Sequence, residues 1–367
     1  MLGKVAMKAN KYSQHKIVYF PKKVDSFRDG TITAPIYVRI KPINRCNHDC
    51  FFCVYSAGFR NSEGDGHVES GMHEDMREED VLPTAKAYEI LDDFKEIGVR
   101  AVTYSGGGEP LLHKDIADIM QRTLDNQIDL SIITNGQLLA KRRAEILAHA
   151  KWVRVSMDYT DAEQMASTRR VPVGSFASIL KNIENFAKIK NSDCDLSVNY
   201  IIYKHNYENL YEFIRNLKER GVENVRLSPM WTQDFAEYHA PIADAVNAEL
   251  EKARGLIDDN FSLDTTYNID AGVHTSERSY TKCYVMQTVP VVGADQMVYA
   301  CHNKAYDNTG VIGSIKDQSF RDLWFSEEAA KVFNTLNPKV SCQHQCANDM
   351  KNIFLHDLID GKPDNFV

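Results

Sequence analysis

The sequence predicts an α/β fold: a partial barrel of six βα units followed by a smaller, turn-rich module. Three observations predict it. From residue 36 to about residue 258, short β-branched runs alternate with amphipathic helical stretches. The links between them suit parallel pairing through crossover helices. Beyond about residue 259 the alternation gives way to short strands, turns and dispersed cysteines. On pattern alone, a doubly wound open sheet of the same units stays open. In either topology ligands gather beyond the C-terminal ends of the strands.

The six strand candidates are residues 36–40, 101–105, 130–134, 153–157, 196–203 and 225–229. Between them, Ala87, Ile90, Leu91 and Phe94 fall at i, i+3, i+4, i+7, and Ile179, Leu180, Ile183 and Phe186 make a similar stripe, so both stretches are sheet-packing helices. Asp80 ahead of Pro83 and Gly98 after Ile97 supply start and stop signals for the first. The chain thus divides into an N-terminal segment, 1–34, a barrel, 35–258, and a C-terminal module, 259–367, with a terminal helix over 348–359. Two long polar segments stand out, 57–79 with His67 and His73, and the region around 265–281. The first leaves the top of the first strand, where a lid or a solvated loop belongs.

With 367 residues and 43% hydrophobic content, the chain can bury a large core. Net charge is -8 and no basic tract occurs, so nucleic acid is not an expected partner. No apolar run of about 18 residues exists, and the lysine-bearing N-terminus lacks a signal-type apolar stretch, so no membrane partner and a cytoplasmic location are expected. Eight cysteines stand at 46, 50, 53, 194, 283, 301, 342 and 346. In a reducing compartment, thiols grouped like this are metal ligands or catalytic groups more often than disulfides.

The sharpest motif is Cys46, Cys50 and Cys53, a Cys-x3-Cys-x2-Cys loop directly after the first predicted strand. Three thiolates so close in sequence can clamp one metal centre. A cubane [4Fe-4S] cluster wants one ligand per iron, so three cysteines leave one iron open to a cofactor or substrate. A structural zinc site, completed by His48, is the alternative.

With aromatic Phe52 ahead of the third cysteine, this loop resembles the signature of the radical S-adenosylmethionine (SAM) superfamily, and further matches follow in order. The resemblance implies that Cys46, Cys50 and Cys53 hold a [4Fe-4S] cluster whose open iron chelates the amino and carboxylate groups of SAM. Gly106, Gly107, Gly108 and Glu109, at the end of the second strand, are similar to the glycine-rich motif beside the methionine amino group, where glycine lets backbone approach a ligand. Thr134 and Asn135 match after the third strand; Ser156 and Asp158, after the fourth, resemble the ribose-contacting segment. Arg169 or Arg170 is implied as partner of the SAM carboxylate, and the spacing favours Arg170. Asn199 and Ser228 complete the carried-over cofactor contacts. The family chemistry implied is electron transfer from the reduced cluster to SAM, release of methionine and a 5'-deoxyadenosyl radical, and hydrogen abstraction from substrate. An electron donor such as flavodoxin or ferredoxin is implied with it. The barrel's part is to position a C–H bond and exclude water.

Cys283, Cys301, Cys342 and Cys346 are enough to saturate a second cluster, or a zinc ion. Around them lie Gly293, Cys301-His302-Asn303, Gly313-Ser314-Ile315 and the run from Ser319 to Trp324, which resemble the SPASM/twitch extension of radical SAM enzymes. Only four cysteines are present there, so the resemblance implies the shorter twitch form with one auxiliary [4Fe-4S] cluster. Cys194, alone before a core strand, reads as a small buried hydrophobe. His302 reads as a solvent-facing residue or a neighbour of the cluster. Tyr104, Tyr200, Tyr203 and Trp231 stand near strand ends, either lining a pocket or filling the core.

The expected function is hydrogen abstraction from a small polar metabolite, a sugar or aminocyclitol, leading to dehydrogenation or epimerisation, with the auxiliary cluster accepting an electron. The alternative is a peptide- or protein-modifying maturase, set second because the residues before Cys46 are too few for a winged-helix leader-binding module. A zinc-stabilised binding protein without enzymatic activity is the reading of another class. No general acid or base is assigned.

Overall fold

The computed structural model describes residues 13, 15–55, 73, 75–232, 234–267, 277–342 and 346–361. Of the lid expected over 57–79, residues 57–72, with His67, and 74 fall outside them, as does 268–276 within the second polar segment.

Six parallel strands run in sequence order: β1 (Tyr37–Ile40), β2 (Ala101–Tyr104), β3 (Asp129–Thr134), β4 (Trp152–Ser156), β5 (Asp195–Ile202) and β6 (Asn224–Pro229). Each lies within one residue of its predicted bounds. A seventh strand, β7 (Ser262–Thr265), continues the parallel sheet beyond β6, so the sheet extends past residue 258. Its sequence, Ser-Leu-Asp-Thr, offers a single aliphatic residue, which is why periodicity does not reveal it. On the other flank, β8 (Val291–Val292) pairs parallel with β1, and β9 (Met297–Tyr299) and β10 (Val311–Ser314) follow in antiparallel order. The ten-stranded order is β10-β9-β8-β1-β2-β3-β4-β5-β6-β7, so the cysteine-bearing module grows directly from the edge of β1.

The pleat sends alternate side chains to opposite faces. On the outer face Val38, Ile40, Val102, Leu130, Val153, Val155, Leu196 and Leu227 are fully buried beneath helices. Helix Thr84–Ile97 presents Ala87, Ile90, Leu91 and Phe94, and helix Ser175–Ile189 presents Ile179, Leu180, Ile183 and Phe186, all buried. Each large side chain of these stripes contributes roughly 1.5–3 kcal/mol of transfer free energy. Gly98 ends the first helix with φ +87°, as its sequence position predicts. Asp80 does not start it: Pro83 occupies the cap without a side-chain bond, and the Asp80 carbonyl instead accepts the Asn44 N–H at 3.1 Å, tethering the loop after β1.

Cys194 is fully buried, as expected. Tyr104 and Tyr200 are core residues, their hydroxyls bonded to Thr123 and the Asn206 carbonyl. Among the described residues, no helix is long and apolar enough to cross a membrane.

Candidate active site

The loop after β1 is held on three sides. Its Ile43 and Arg45 carbonyls accept the N–H groups of Gly108 and Glu109, both at 3.0 Å. The Asp49 and Phe51 N–H groups donate to the Arg169 and Thr168 carbonyls at the end of helix Ala162–Arg169. Asn47 Oδ1 accepts from Asn135 Nδ2 at 2.7 Å, and His48 Nε2 lies 2.8 Å from Gln137 Oε1, tying the loop to the segment after β3. Cys46, Cys50 and Cys53 therefore line one cavity of about 300 Å³, together with Gly106, Gly107, Gly108, Glu109, Thr134, Asn135, Ser156 and Arg169. Burial pushes the Cys46 thiol up to about 11 and the Cys50 thiol up to about 12.

Why the second strand ends in glycines is now explicit. A Cβ on Gly108 would strike the Arg45 carbonyl, and one on Gly107, at φ +61°, would strike the Asn44 amide. These two glycines let the cysteine loop lie against β2. Gly106 alone has room, its nearest neighbours standing 3.8 Å from where a Cβ would be.

Glu109 is the knot of the site. Its buried carboxylate accepts from the Thr134 hydroxyl at 2.7 Å, the Leu111 N–H at 3.1 Å and the Asn135 N–H at 2.8 Å. Burial raises its pKa, and these donors work in the opposite direction. Thr134 and Asn135 are thus spoken for through hydroxyl, N–H and amide, and reach the cavity as its wall.

Of the two arginines, Arg169 and not Arg170 lines the cavity, although the spacing favours Arg170. Arg169 is buried in the cavity wall, paired with Asp158, and donates to the Ser156 carbonyl at 3.1 Å. Arg170, at φ +50°, turns outward to Asp49 at 2.6 Å with its side chain about half exposed. The left-handed turn at the helix end swings the second guanidinium away. Burial opposes the Arg169 charge, but Cys50 and Asp158 outweigh it, so the group stays cationic. Its Nε–H is buried without a hydrogen-bond acceptor, as is the Nδ1 of His48 in the same wall.

Other expected contacts lie off the cavity wall. Asp158 is buried behind Arg169, and its second oxygen accepts the Ile201 N–H at 2.7 Å, which makes it a positioning residue. Phe52 packs against Phe51 and lies 6.0 Å from the Arg169 guanidinium. Asn199 pairs in register with Ser156 of that wall, and Ser228 pairs with Ile201 on the next strand.

The second cysteine set is assembled from separate turns. Cys283 precedes the 3-10 turn Val285–Gln287, Cys301 caps the turn His302–Lys304 after β9, Cys342 ends helix Pro338–Ser341, and Cys346 precedes helix Asp349–Asp360. Cys283 lies within electrostatic reach of all three others. His302 is not solvent-facing: its Nδ1 is buried without a partner, and burial depresses its pKa far below the ordinary value. Among the described residues no three His, Cys, Asp or Glu side chains converge tightly enough to chelate a single ion. A tetrahedral zinc would need its sulfurs within about 3.8 Å of one another, given Zn–S bonds of about 2.3 Å. A four-iron cluster takes each ligand on a different iron and leaves the thiols apart.

The chain carries a domain of the Radical SAM superfamily over residues 40–203 and an iron-sulfur cluster-binding domain over residues 283–348, the second spanning all four C-terminal cysteines. That pair implies a SAM-binding [4Fe-4S] cluster and auxiliary cluster binding. Three loop thiols, a buried guanidinium with a free N–H and glycine-lined backbone fit the first group. The chain is 28% identical over 148 residues to the PqqA peptide cyclase of Granulibacter bethesdensis, covering 40% of this chain and 38% of that protein. It is 27% identical over 217 residues to a probable GTP 3',8-cyclase of Halobacterium salinarum, covering 56% of each. It thus spans about half or less of the length of those two relatives. Mycofactocin maturase MftC of Mycolicibacterium smegmatis is 24% identical over 320 residues, covering 84% of this chain and 74% of that one. Among solved structures, Streptococcus suis SuiB bound to precursor peptide SuiA superposes with TM-score 0.62 at 17% identity, covering 91% of this chain and 77% of that one. Native anSMEcpe with bound AdoMet gives 0.56 at 16% identity, covering 82% and 83%. Both show the same fold.

Proposed function

We propose that this chain is a radical SAM enzyme that modifies a peptide or protein substrate. The observation that carries this is the likeness to the PqqA peptide cyclase over 148 residues, joined by the likeness to mycofactocin maturase MftC over 84% of the chain. This replaces the small sugar or aminocyclitol as leading substrate, since the peptide cyclase and the maturase both stand among the relatives. When bound, the first cluster supplies one-electron reduction of SAM, yielding a hydrogen-abstracting 5'-deoxyadenosyl radical; flavodoxin or ferredoxin is the expected donor.

The chain's own residues hold and orient. Cys46, Cys50 and Cys53 ligate the cluster. Arg169, with Asp158 and the Ser156 carbonyl fixing its plane, offers its N–H groups to the SAM carboxylate. Glu109 locks the walls after β2 and β3 so that the cofactor meets a preformed pocket. Cys283, Cys301, Cys342 and Cys346 ligate one auxiliary cluster. The test is anaerobic incubation of reconstituted enzyme, reductant and SAM with short peptides encoded beside its gene, followed by mass spectrometry. A peptide mass change that tracks 5'-deoxyadenosine is expected; turnover only with a small metabolite would overturn the peptide reading.

A second reading, a small anionic metabolite, is favoured by the GTP cyclase relatives.

A further inference from the structure

The inner face of the barrel is unlike its outer face. Barrel interiors are ordinarily packed with branched apolar side chains. Here three strands repeat one triplet, an arginine between two buried aliphatic residues: Val38-Arg39-Ile40, Val153-Arg154-Val155 and Val225-Arg226-Leu227. The aliphatic neighbours face the helices, so the pleat sends all three guanidinium groups inward, where they are only partly buried. Lys351, from helix Asp349–Asp360, joins them: it lies within electrostatic reach of Arg39 on β1 and Arg226 on β6. Tyr37 in turn lies within reach of Arg39, Arg154 and Lys351. Trp152 adds an aromatic wall, with the Arg154 guanidinium 5.1 Å from its ring.

The same face connects to the site already described. Sheet register sets Ser156, Asn199, Arg226 and Asp264 in one row, with neighbouring strands about 4.8 Å apart. Ser156 is also a wall of the cysteine cavity. At the other side, Arg39 lies within electrostatic reach of Cys301. Among the described strand residues, the carboxylates on this face are Asp129, Asp195 and Asp264. Asp129 is exposed and 3.9 Å from Lys151, while Asp264 accepts from Asn224 at 2.7 Å. Arg39, Arg154 and Arg226 thus present three guanidinium groups on one face of the sheet. Guanidinium groups at half-buried positions can bind an oxyanion through charge-assisted, forked hydrogen bonds.

We propose that the inner face is a recognition surface for an anionic group of the substrate, a carboxylate or a phosphate, held chiefly by Arg39, Arg154, Arg226 and Lys351. The assignment rests on reading the barrel as the substrate chamber of the proposed enzyme. Guanidinium forks match both oxyanions in geometry, and a position between the two cysteine groups delivers the attached C–H bond to the cavity.

The test uses the full chain with its clusters reconstituted, and fluorescence anisotropy with a labelled glutamate-glycine peptide, its glutamine counterpart, and unlabelled inorganic tripolyphosphate. Binding of the glutamate peptide about tenfold tighter than the glutamine peptide is expected, with a further loss of about tenfold in Arg39→Gln and in Arg226→Gln. Arg226→Lys should recover part of it, and Arg142→Gln, on the exposed helix Lys141–Leu147, should change nothing. Iron content and thermal melting establish that each variant is folded. Tripolyphosphate binding that is lost in Arg226→Gln, with no binding of either peptide, supports the anion surface with phosphate as its ligand and speaks against the peptide reading. Equal binding of both peptides, or undiminished anion binding in folded Arg39→Gln and Arg226→Gln, overturns the anion surface and leaves the peptide reading standing.

Discussion

The two cysteine sets ask for the same metal chemistry by opposite structural means. Cys46, Cys50 and Cys53 stand on one short loop at the C-terminal end of β1, facing a cavity with Arg169 in its wall. Cys283, Cys301, Cys342 and Cys346 are brought together from four turns, with Lys304 and Arg278 within electrostatic reach of Cys342. Burial raises the thiol pKa values in both sets, so proton affinity does not separate them. Ligand number does. On a four-iron cluster, three thiols leave a coordination position for a cofactor; four thiols would leave none.

The largest effect that could break this contrast comes from removing one set at a time. Replacing Cys46, Cys50 and Cys53 together by Ala should abolish 5'-deoxyadenosine formation while about four irons remain, measured by anaerobic iron and sulfide analysis. Replacing the four C-terminal cysteines should also leave about four irons, yet preserve SAM cleavage while substrate modification is lost. If either set proves dispensable for iron binding, the contrast fails.

The next effect concerns the loop's seating. Gly108→Ala should cost the loop its contact with β2 and lower loading of the first cluster by about half or more, because backbone in the path of a Cβ cannot yield cheaply. Gly106→Ala should load normally, and ultraviolet-visible spectra of the reconstituted proteins compare the two.

Smaller again is the pair of arginines. Arg169→Lys should weaken SAM binding by about tenfold, through loss of the fork geometry, while Arg170→Gln stays within about twofold. Equilibrium dialysis with labelled SAM reads both, and a reversed order would return the carboxylate role to Arg170. Last comes Glu109→Gln, which keeps the shape but turns one acceptor into a donor. A loss of about 1–3 kcal/mol in stability is expected, seen as a lowered Tm.

The same contrast explains what was legible beforehand. The outer faces of β1 to β6 are mostly aliphatic at every second position, with Tyr104 and Tyr200 among the exceptions, and that period is visible in the chain. So is the three-cysteine loop, because its ligands are local. β7 escapes notice because Ser-Leu-Asp-Thr pairs by its backbone with β6, with little aliphatic surface of its own. The choice between Arg169 and Arg170 depends on one left-handed residue that spacing cannot register. The inner arginines were readable in principle: an arginine between aliphatic neighbours recurs on three strands, and such a residue must face away from the core. What could not be read is that Lys351, far along the chain, reaches the same space.

The central claim is that one cluster has an iron open to SAM and the other has none. Electron paramagnetic resonance of the reduced, reconstituted protein with and without SAM tests it most directly. The account predicts two [4Fe-4S] signals, of which SAM shifts one, and loss of the shifting signal in the Cys46, Cys50 and Cys53 variant. A single signal, or two signals that SAM leaves unchanged, would contradict it.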